Sequence, residues 1–317
     1  ARDSFMTYAP IVMFVYNRAD HFNTVYSALK NCIGARDSEL FVFCDGAKNS
    51  DGQKKVDEVR AAVREKESAG DFKKIRIIER EKNMGLASSV ISGVTEVINK
   101  YGRVIVLEDD CEPSVYFLKF MNECLDKFEN NREIGAIAGF APKIEFPPDY
   151  KHDIFTSYRS CSWGWAAWKR SWTGVDWKLQ DKNSIYSLDF IRRLNSNGSD
   201  RFIRLYRQTK GNGSSWSVRF GAHLVKNSMM TVYPRYSYIQ NIGCDSSGVH
   251  SKSEDEKKMA VDLTKAIENP VIEPVKLDRR IQKAMKKHYS GGFVSDVKRT
   301  AGTALILIKH RLVLGNA

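Results

Sequence analysis

The chain is short of proline, of paired cysteine motifs and of long apolar runs, and each shortage narrows what it can be. Eight prolines and 21 glycines in 317 residues exclude a collagen-like or low-complexity chain, and 42% hydrophobic residues are enough for a packed core. The six cysteines (Cys32, Cys44, Cys111, Cys124, Cys161 and Cys244) are scattered, with neither a C-x-x-C pair nor the Cys/His spacing of a zinc site. Cys32 and Cys44 fall in or beside apolar runs and read as buried thiols. A transmembrane helix needs roughly 20 apolar residues, which no run here approaches; in the tail, Ala304–Ile308 is followed at once by Lys309, His310 and Arg311. With no signal-peptide pattern either, a reducing cytoplasm is the expected compartment.

Positive charge is what the chain has in excess. Fifty Lys+Arg against 38 Asp+Glu give a net +12, which points to an anionic partner: nucleic acid, a phosphorylated small molecule or a membrane surface. The excess is uneven. Lys276 to Ala317 carries a net +8, leaving +4 for the preceding 275 residues. No recognisable nucleic-acid-binding motif accompanies the charge, so nucleic acid is not an expected partner. Within this tail Phe293, Val297, Ala301, Ala304, Leu305, Ile308 and Leu312 recur at helical spacing, with the cations largely off that face. Such a helix either lies peripherally in a membrane interface, here the inner face of a plasma membrane, or packs back on its own domain.

The first half alternates strand-like and helix-like patterns. Apolar runs at Pro10–Tyr16, Leu40–Cys44, Ile75–Ile78, Arg103–Leu107 and Ile134–Phe140 predict buried strands. Helices are predicted from Asp20, whose carboxylate could cap the first turn, and over Asp51–Lys66, Leu86–Ile98 and Ser114–Phe128. This is the pattern of an α/β domain, a mostly parallel central sheet flanked by helices, with ligands bound beyond the carboxyl ends of the strands. After Pro147-Pro148 the texture changes. Five of six tryptophans fall between Trp163 and Trp177, helical patterns return at Ser187–Gln208 and Trp216–Lys226, and a Gly/Ser-rich loop runs from Asn241 to His250. Beyond it only helices are predicted: Glu254–Ile267, Leu277–His288 and Gly292–Leu314.

Chemistry concentrates at strand ends. Glu108-Asp109-Asp110 follows a buried strand, and three adjacent carboxylates repel one another unless a cation or hydrogen bonds offset them. A divalent metal held by one or two carboxylates and substrate phosphates would do so; the plainer alternative is that Asp110 or Ser114 caps the next helix. Asn83-Met84-Gly85-Leu86 places a glycine at a helix start, where free N–H groups let a ligand approach. That turn matches neither the G-x-G-x-x-G fingerprint nor a Walker loop.

Taken together, Pro10–Arg18, Asp45 after the second strand, Asn83–Leu86 and Val106–Asp110 resemble a GT-A glycosyltransferase, closest to glycosyltransferase family 2 and the related N-acetylglucosaminyltransferase I group. The resemblance covers roughly Tyr8 to His250. It implies a Rossmann-like catalytic domain over residues 1–250, its nucleotide-sugar half at about 8–142 and its acceptor half at about 143–250, followed by a helical basic extension over 251–317. It further implies that Asn17, Arg18, Asp45, Asn83, Gly85 and Leu86 hold the nucleoside of a sugar nucleotide, with Glu108 also on the donor and Asp109 near the ribose or sugar. Asp110, joined by His250, would ligate Mn²⁺ or Mg²⁺ on the diphosphate. The Ser162-Trp-Gly-Trp-Ala-Ala-Trp168 stretch resembles the acceptor side of bacterial members. Trp163 and Trp165 are expected nearest the site, although Trp165, Trp168 and Trp172 also have the i, i+3, i+7 spacing of a helical core face.

One departure stands out. Related inverting enzymes often carry an Asp after a Trp at a helix start as general base, and here Ser215-Trp216-Ser217 has serine. Asp245 is the first substitute and Asp176 a weaker one. The expected activity is transfer of a sugar from a nucleotide donor to a glycan or lipid-linked acceptor, with inversion, in bacterial surface polysaccharide synthesis. The alternatives are a sugar-nucleotide nucleotidyltransferase, disfavoured because Tyr16–His21 has no glycine, and a catalytically decayed membrane-associated binding module.

Overall fold

Four apolar runs become the parallel strands β1 (Ile11–Val15), β2 (Glu39–Cys44), β3 (Lys74–Glu79) and β4 (Arg103–Glu108), joined by helices α1 (Ala19–Leu29), α2 (Ser50–Lys66) and α3 (Gly85–Tyr101). The structure, a computed structural model, describes residues 8–243 and 260–315. Beyond β4 come β5 (Cys111–Pro113), α4 (Phe117–Lys127), β6 (Ile134–Ala138), β7 (Ile154–Ser157), β8 (Trp165–Trp168), α5 (Lys169–Trp172), α6 (Leu188–Leu194), α7 (Asp200–Thr209) and α8 (Trp216–Lys226). The described chain then adds β9 (Met230–Pro234), β10 (Ile239–Asn241), α9 (Arg279–Tyr289) and α10 (Phe293–Gly315).

Among the described residues, eight strands form one sheet in the order β3-β2-β1-β4-β8-β6-β9-β7. Only β8 and β7 run against the rest. The expected α/β architecture, a mostly parallel sheet between helices, is therefore present. Every residue of β1 is buried, as a central parallel strand covered on both faces requires. On one face α1, α2 and α4 contribute Phe22, Val59 and Phe117 to the core; on the other, α3, α5 and α8 contribute Val94, Trp172 and Phe220. In α2 the buried positions are Val56, Val59 and Val63, the stripe read from the sequence.

Parallel register aligns the strand ends. Val15 pairs with Cys44, Phe14 with Glu108 and Cys44 with Glu79, so the loops after β1, β2 and β4 leave the sheet side by side. A separate ribbon pairs β10 with β5, Asn241 opposite Cys111. Together with the Ile242 N–H bonded to the Asp110 carbonyl at 2.8 Å, it lays the start of the Gly/Ser loop against the acidic tripeptide.

Several expectations change. The tryptophan run is not helical: β8 is an antiparallel strand between β4 and β6, followed by the single turn α5. In a strand, residues three apart point to opposite faces; Trp165 enters the core on the α3 side and Trp168 the core on the α4 side. The helix expected over Ser187–Gln208 breaks at Gly198, whose φ of +140° and missing Cβ avoid Asp200 Oδ1 at 2.6 Å and Arg159 Nη1 at 2.8 Å. Helix α4 begins at Phe117 rather than Ser114, because Cys111–Pro113 is used in the ribbon. Asp20 lies inside the first turn of α1 and does not cap it; Arg18 occupies the cap position without a side-chain bond. Of the helix expected over 254–267, the described residues hold only a 3₁₀ turn at Leu263–Lys265.

The C-terminal helices dock beside β7 and β9 and on α6 and α7. Ile281 and Met285 of α9 are fully buried against Tyr150, Phe155 and Tyr233. Ile306 and Leu307 of α10 pack toward α6 and α7, and His310 stacks on Tyr186. No described helix is long and apolar enough to cross a membrane.

Candidate functional site

Three loops meet where β1, β2 and β4 end. Arg18, just past β1, directs its guanidinium to both acids after β4: to Asp109, and to Asp110 Oδ2 at 3.0 Å. Burial works against the Arg18 charge, but Asp109 and then Asp110 outweigh it and its pKa rises. The Asp109 carboxyl, 4% exposed, is pushed up to about 6 by burial against the pull of Arg18. Glu108 is pushed up to about 8, by burial first and then by Asp110 and Asp109. Arg18 thus offsets only part of the charge of this carboxyl cluster, which leaves it able to accept a second cation.

Asp45 plays a different part. Its Oδ1 accepts from the N–H groups of Gly46 at 3.0 Å and Met84 at 2.8 Å, and its Oδ2 from Gly85 N–H at 3.0 Å and Asn83 Nδ2 at 3.2 Å. Four donors use the capacity of a carboxylate, so Asp45 staples the end of β2 to the start of α3. The N–H groups of Met84 and Gly85, expected to be free for a ligand, are held by Asp45. Gly85 sits at φ +73° with open space around its Cα, while Leu86 stands 53% exposed at the mouth. Asn17 lies partly exposed at the end of β1.

Hard oxygen donors suit Mn²⁺ or Mg²⁺. Among the described residues no three His, Cys, Asp or Glu side chains gather as a metal site, but an ion of this kind is commonly held by one or two carboxylates, with phosphate oxygens and water completing the shell. Asp110 fits that role: a Cβ on Gly243 would come within 2.5 Å of Asp110 Oδ2, so the bare glycine leaves room beside the carboxylate. Asp110 does not cap α4, whose cap residue is Tyr116 without a side-chain bond. His250 and Asp245 lie outside the described residues.

In the second half of the chain the tryptophans separate. Trp165 is 1% exposed, enclosed by Trp172, Trp216 and Phe220, and has no face to offer a sugar; the acceptor role expected for it is corrected to a core role. Trp163 packs edge-on against Phe140 and lines an open cavity of about 270 Å³ together with Ser217. The Asp176 carboxylate accepts the Asp181 N–H at 2.9 Å; burial raises its pKa, but backbone hydrogen bonds from Asp181, Gln180 and Lys178 outweigh it and lower the value, which makes it a poor base. Arg159, Arg201 and Arg204 also line the cavity and were not singled out from the sequence. Arg201 and Arg204 stand three apart on one helix face, a legible signal, whereas Arg159 comes from a distant loop.

No protein-family model matches the chain, and no curated protein matches it. Solved structures that it is similar to include S. aureus TarS, at 10% identity and a TM-score of 0.43 over 73% of this chain and 36% of that one. A second is S. aureus TarS 1-349 in complex with UDP-GlcNAc, at 11% identity and a TM-score of 0.44 over 79% of this chain and 64% of that one. The present chain thus spans between about a third and two thirds of those chains' lengths.

Proposed function

We propose that the chain is a metal-dependent glycosyltransferase that moves a sugar from a nucleotide donor to a hydroxyl of a glycan or lipid-linked acceptor. The observation carrying this reading is the convergence of Asn17-Arg18, Asp45 with Asn83–Leu86, and Glu108–Asp110 at the carboxyl ends of adjacent strands, where open α/β sheets bind ligands. Asp110 would hold Mn²⁺ or Mg²⁺, which when bound offsets the charge growing on a nucleoside diphosphate leaving group. Arg18 fixes the orientation of Asp109 and Asp110. Asp45 sets the start of α3 so that Leu86 stands at the mouth. Asp245, four residues after the end of β10 in the sequence, is the proposed base, and inversion the proposed stereochemical outcome. Bacterial surface polysaccharide synthesis at the inner face of the plasma membrane is the proposed setting.

The test is a thermal-shift panel of nucleoside diphosphates and sugar nucleotides with and without Mn²⁺. A sugar nucleotide should stabilise the chain more with the ion than without it, and Asp110→Ala should remove that difference. Equal stabilisation with and without Mn²⁺ would overturn the metal role. Hydrolysis of the donor in the absence of acceptor would exclude a decayed binding module, and release of pyrophosphate from a sugar phosphate and a nucleoside triphosphate would instead support the nucleotidyltransferase.

A second reading concerns α10. Its apolar positions face outward: Phe293 is 83%, Leu305 59%, Ile308 55% and Leu312 61% exposed, and exposed Lys298, Lys309 and Arg311 stand among them. The helix packs inward through a different strip that includes Thr303, Ile306 and Leu307. We propose that the outward face meets an anionic membrane surface peripherally.

A further inference from the structure

A cavity of about 270 Å³ opens beside Trp163 on the acceptor side, and its charges do not balance. Arg159, Arg201 and Arg204 line it. The carboxylate that serves them, Asp200, takes Arg159 at 3.1 and 3.3 Å and then Arg204 at 3.6 Å. Arg201 is left over. It is 7% exposed and donates one hydrogen bond, from Nη1 to the Tyr158 carbonyl at 3.2 Å; among the described residues no carboxylate lies within ion-pair distance of it. Burial, and next the neighbouring Arg159, push its pKa down to about 9. A buried guanidinium with one carbonyl partner is costly to maintain without a counter-charge.

The surroundings supply further donors. Ser160, Ser162 and Ser217 also line the cavity. Gly221 makes room for two of these groups: a Cβ there would fall 2.2 Å from Arg201 Nη2 and 2.4 Å from Ser160 Oγ. A carboxylate at position 217 would have offset one of the cavity's surplus positive charges, and serine leaves them in place. Two guanidinium forks and three hydroxyls offer more donors than the two oxygens of a carboxylate can use, whereas a phosphoryl group presents three or four oxygens.

We propose that this cavity is a binding site for a tetrahedral oxyanion, a phosphate group of a ligand, with Arg201 as its principal counter-charge. The site stands on its own geometry and holds whether or not the chain transfers sugar. Two sources carry this chemistry: the diphosphate of a donor nucleotide, or a phosphate borne by an acceptor.

The experiment titrates inorganic phosphate into the full chain by isothermal calorimetry, with acetate at matched ionic strength as control. Saturable binding of phosphate but not acetate is expected. Arg204→Gln and Ser217→Asp should each weaken it about tenfold or more, and Arg201→Met should abolish it. If Arg201→Met does not fold, the other two variants decide. Absence of saturable binding, binding unchanged in Arg204→Gln and Ser217→Asp, or an equal response to acetate would each overturn the proposal. Repeating the titration with saturating UDP and Mn²⁺ assigns the source: loss of the phosphate heat places the donor diphosphate in the cavity, and its persistence leaves the cavity for an acceptor phosphate.

Discussion

At the scale of single residues, the Arg159–Asp200 pair is the most consequential buried contact. Both side chains are enclosed, 12% and 13% exposed, and Arg159 also lies 3.7 Å from the centre of the Tyr289 ring. Removing one member of a buried pair strands the other, at a cost of about 3–5 kcal/mol; Asp200→Asn should lose stability on that scale in urea unfolding. Burial raises the Asp200 pKa, but Arg159 and its hydrogen bonds outweigh burial and hold it below the usual carboxylate range. The native state therefore binds this proton less readily than the unfolded chain does. The contribution is complete above the unfolded pKa, about 4, and is lost as pH falls through the lower native value. Stability of the wild type should decline in that acid window more steeply than that of Asp200→Asn, and parallel curves would refute the pair's role.

Among elements, β8 shows how sequence and structure diverge. Three tryptophans at i, i+3 and i+7 fit a helical core face, and all three are buried, Trp165 included although it is expected nearest the site; the secondary structure differs, since a four-residue strand leaves too short a pattern to compete. Trp165 fills one core and Trp168 the other, so truncating Trp165 to alanine opens a cavity that neither helix layer can close. A loss of about 3–5 kcal/mol is expected on that basis, and a loss below 1 kcal/mol would show that the site collapses. Gly198→Ala, between α6 and α7, should also destabilise, since a Cβ would strike Asp200 at 2.6 Å at a φ of +140°; unchanged thermal unfolding would refute this. On α10, Leu305→Glu with Ile308→Glu should leave the fold intact and reduce sedimentation with phosphatidylglycerol vesicles, because both side chains point outward. Binding equal to wild type would remove the membrane reading.

For the molecule as a whole, the N-terminal half was legible because β1, β2 and β4 are built on continuous apolar runs and each connection is a helix of clear period. The strand-end residues were legible for the same reason: once β1, β2 and β4 are parallel and in register, Arg18, Asp45 and Asp110 must emerge together. What the pattern did not carry is how those groups use one another. Asp45 is saturated by three backbone N–H groups and the Asn83 side-chain amide, and Arg18 is turned toward the acids. The second half was harder because β7, β8, β9 and β10 are short and paired across long stretches of chain, and the arginine cavity draws on a loop, a helix and the C-terminal segment at once.

The strand order has a consequence for synthesis. Strands β1 to β3 are joined by local crossovers, with β4 next to β1, and contacts close in sequence form early. Strand β7, at the far edge, has β9 as its sheet partner; β6 also waits for β9, and the ribbon beside Asp110 waits for Ile239–Asn241. A nascent chain that has emerged only as far as α8 carries the strand-end acids with two unfilled sheet edges and no cover from the ribbon. Pulse proteolysis of stalled ribosomal chains should find β1–β4 protected well before β6 and β7, with the whole sheet closing in one step once Pro234 has left the tunnel.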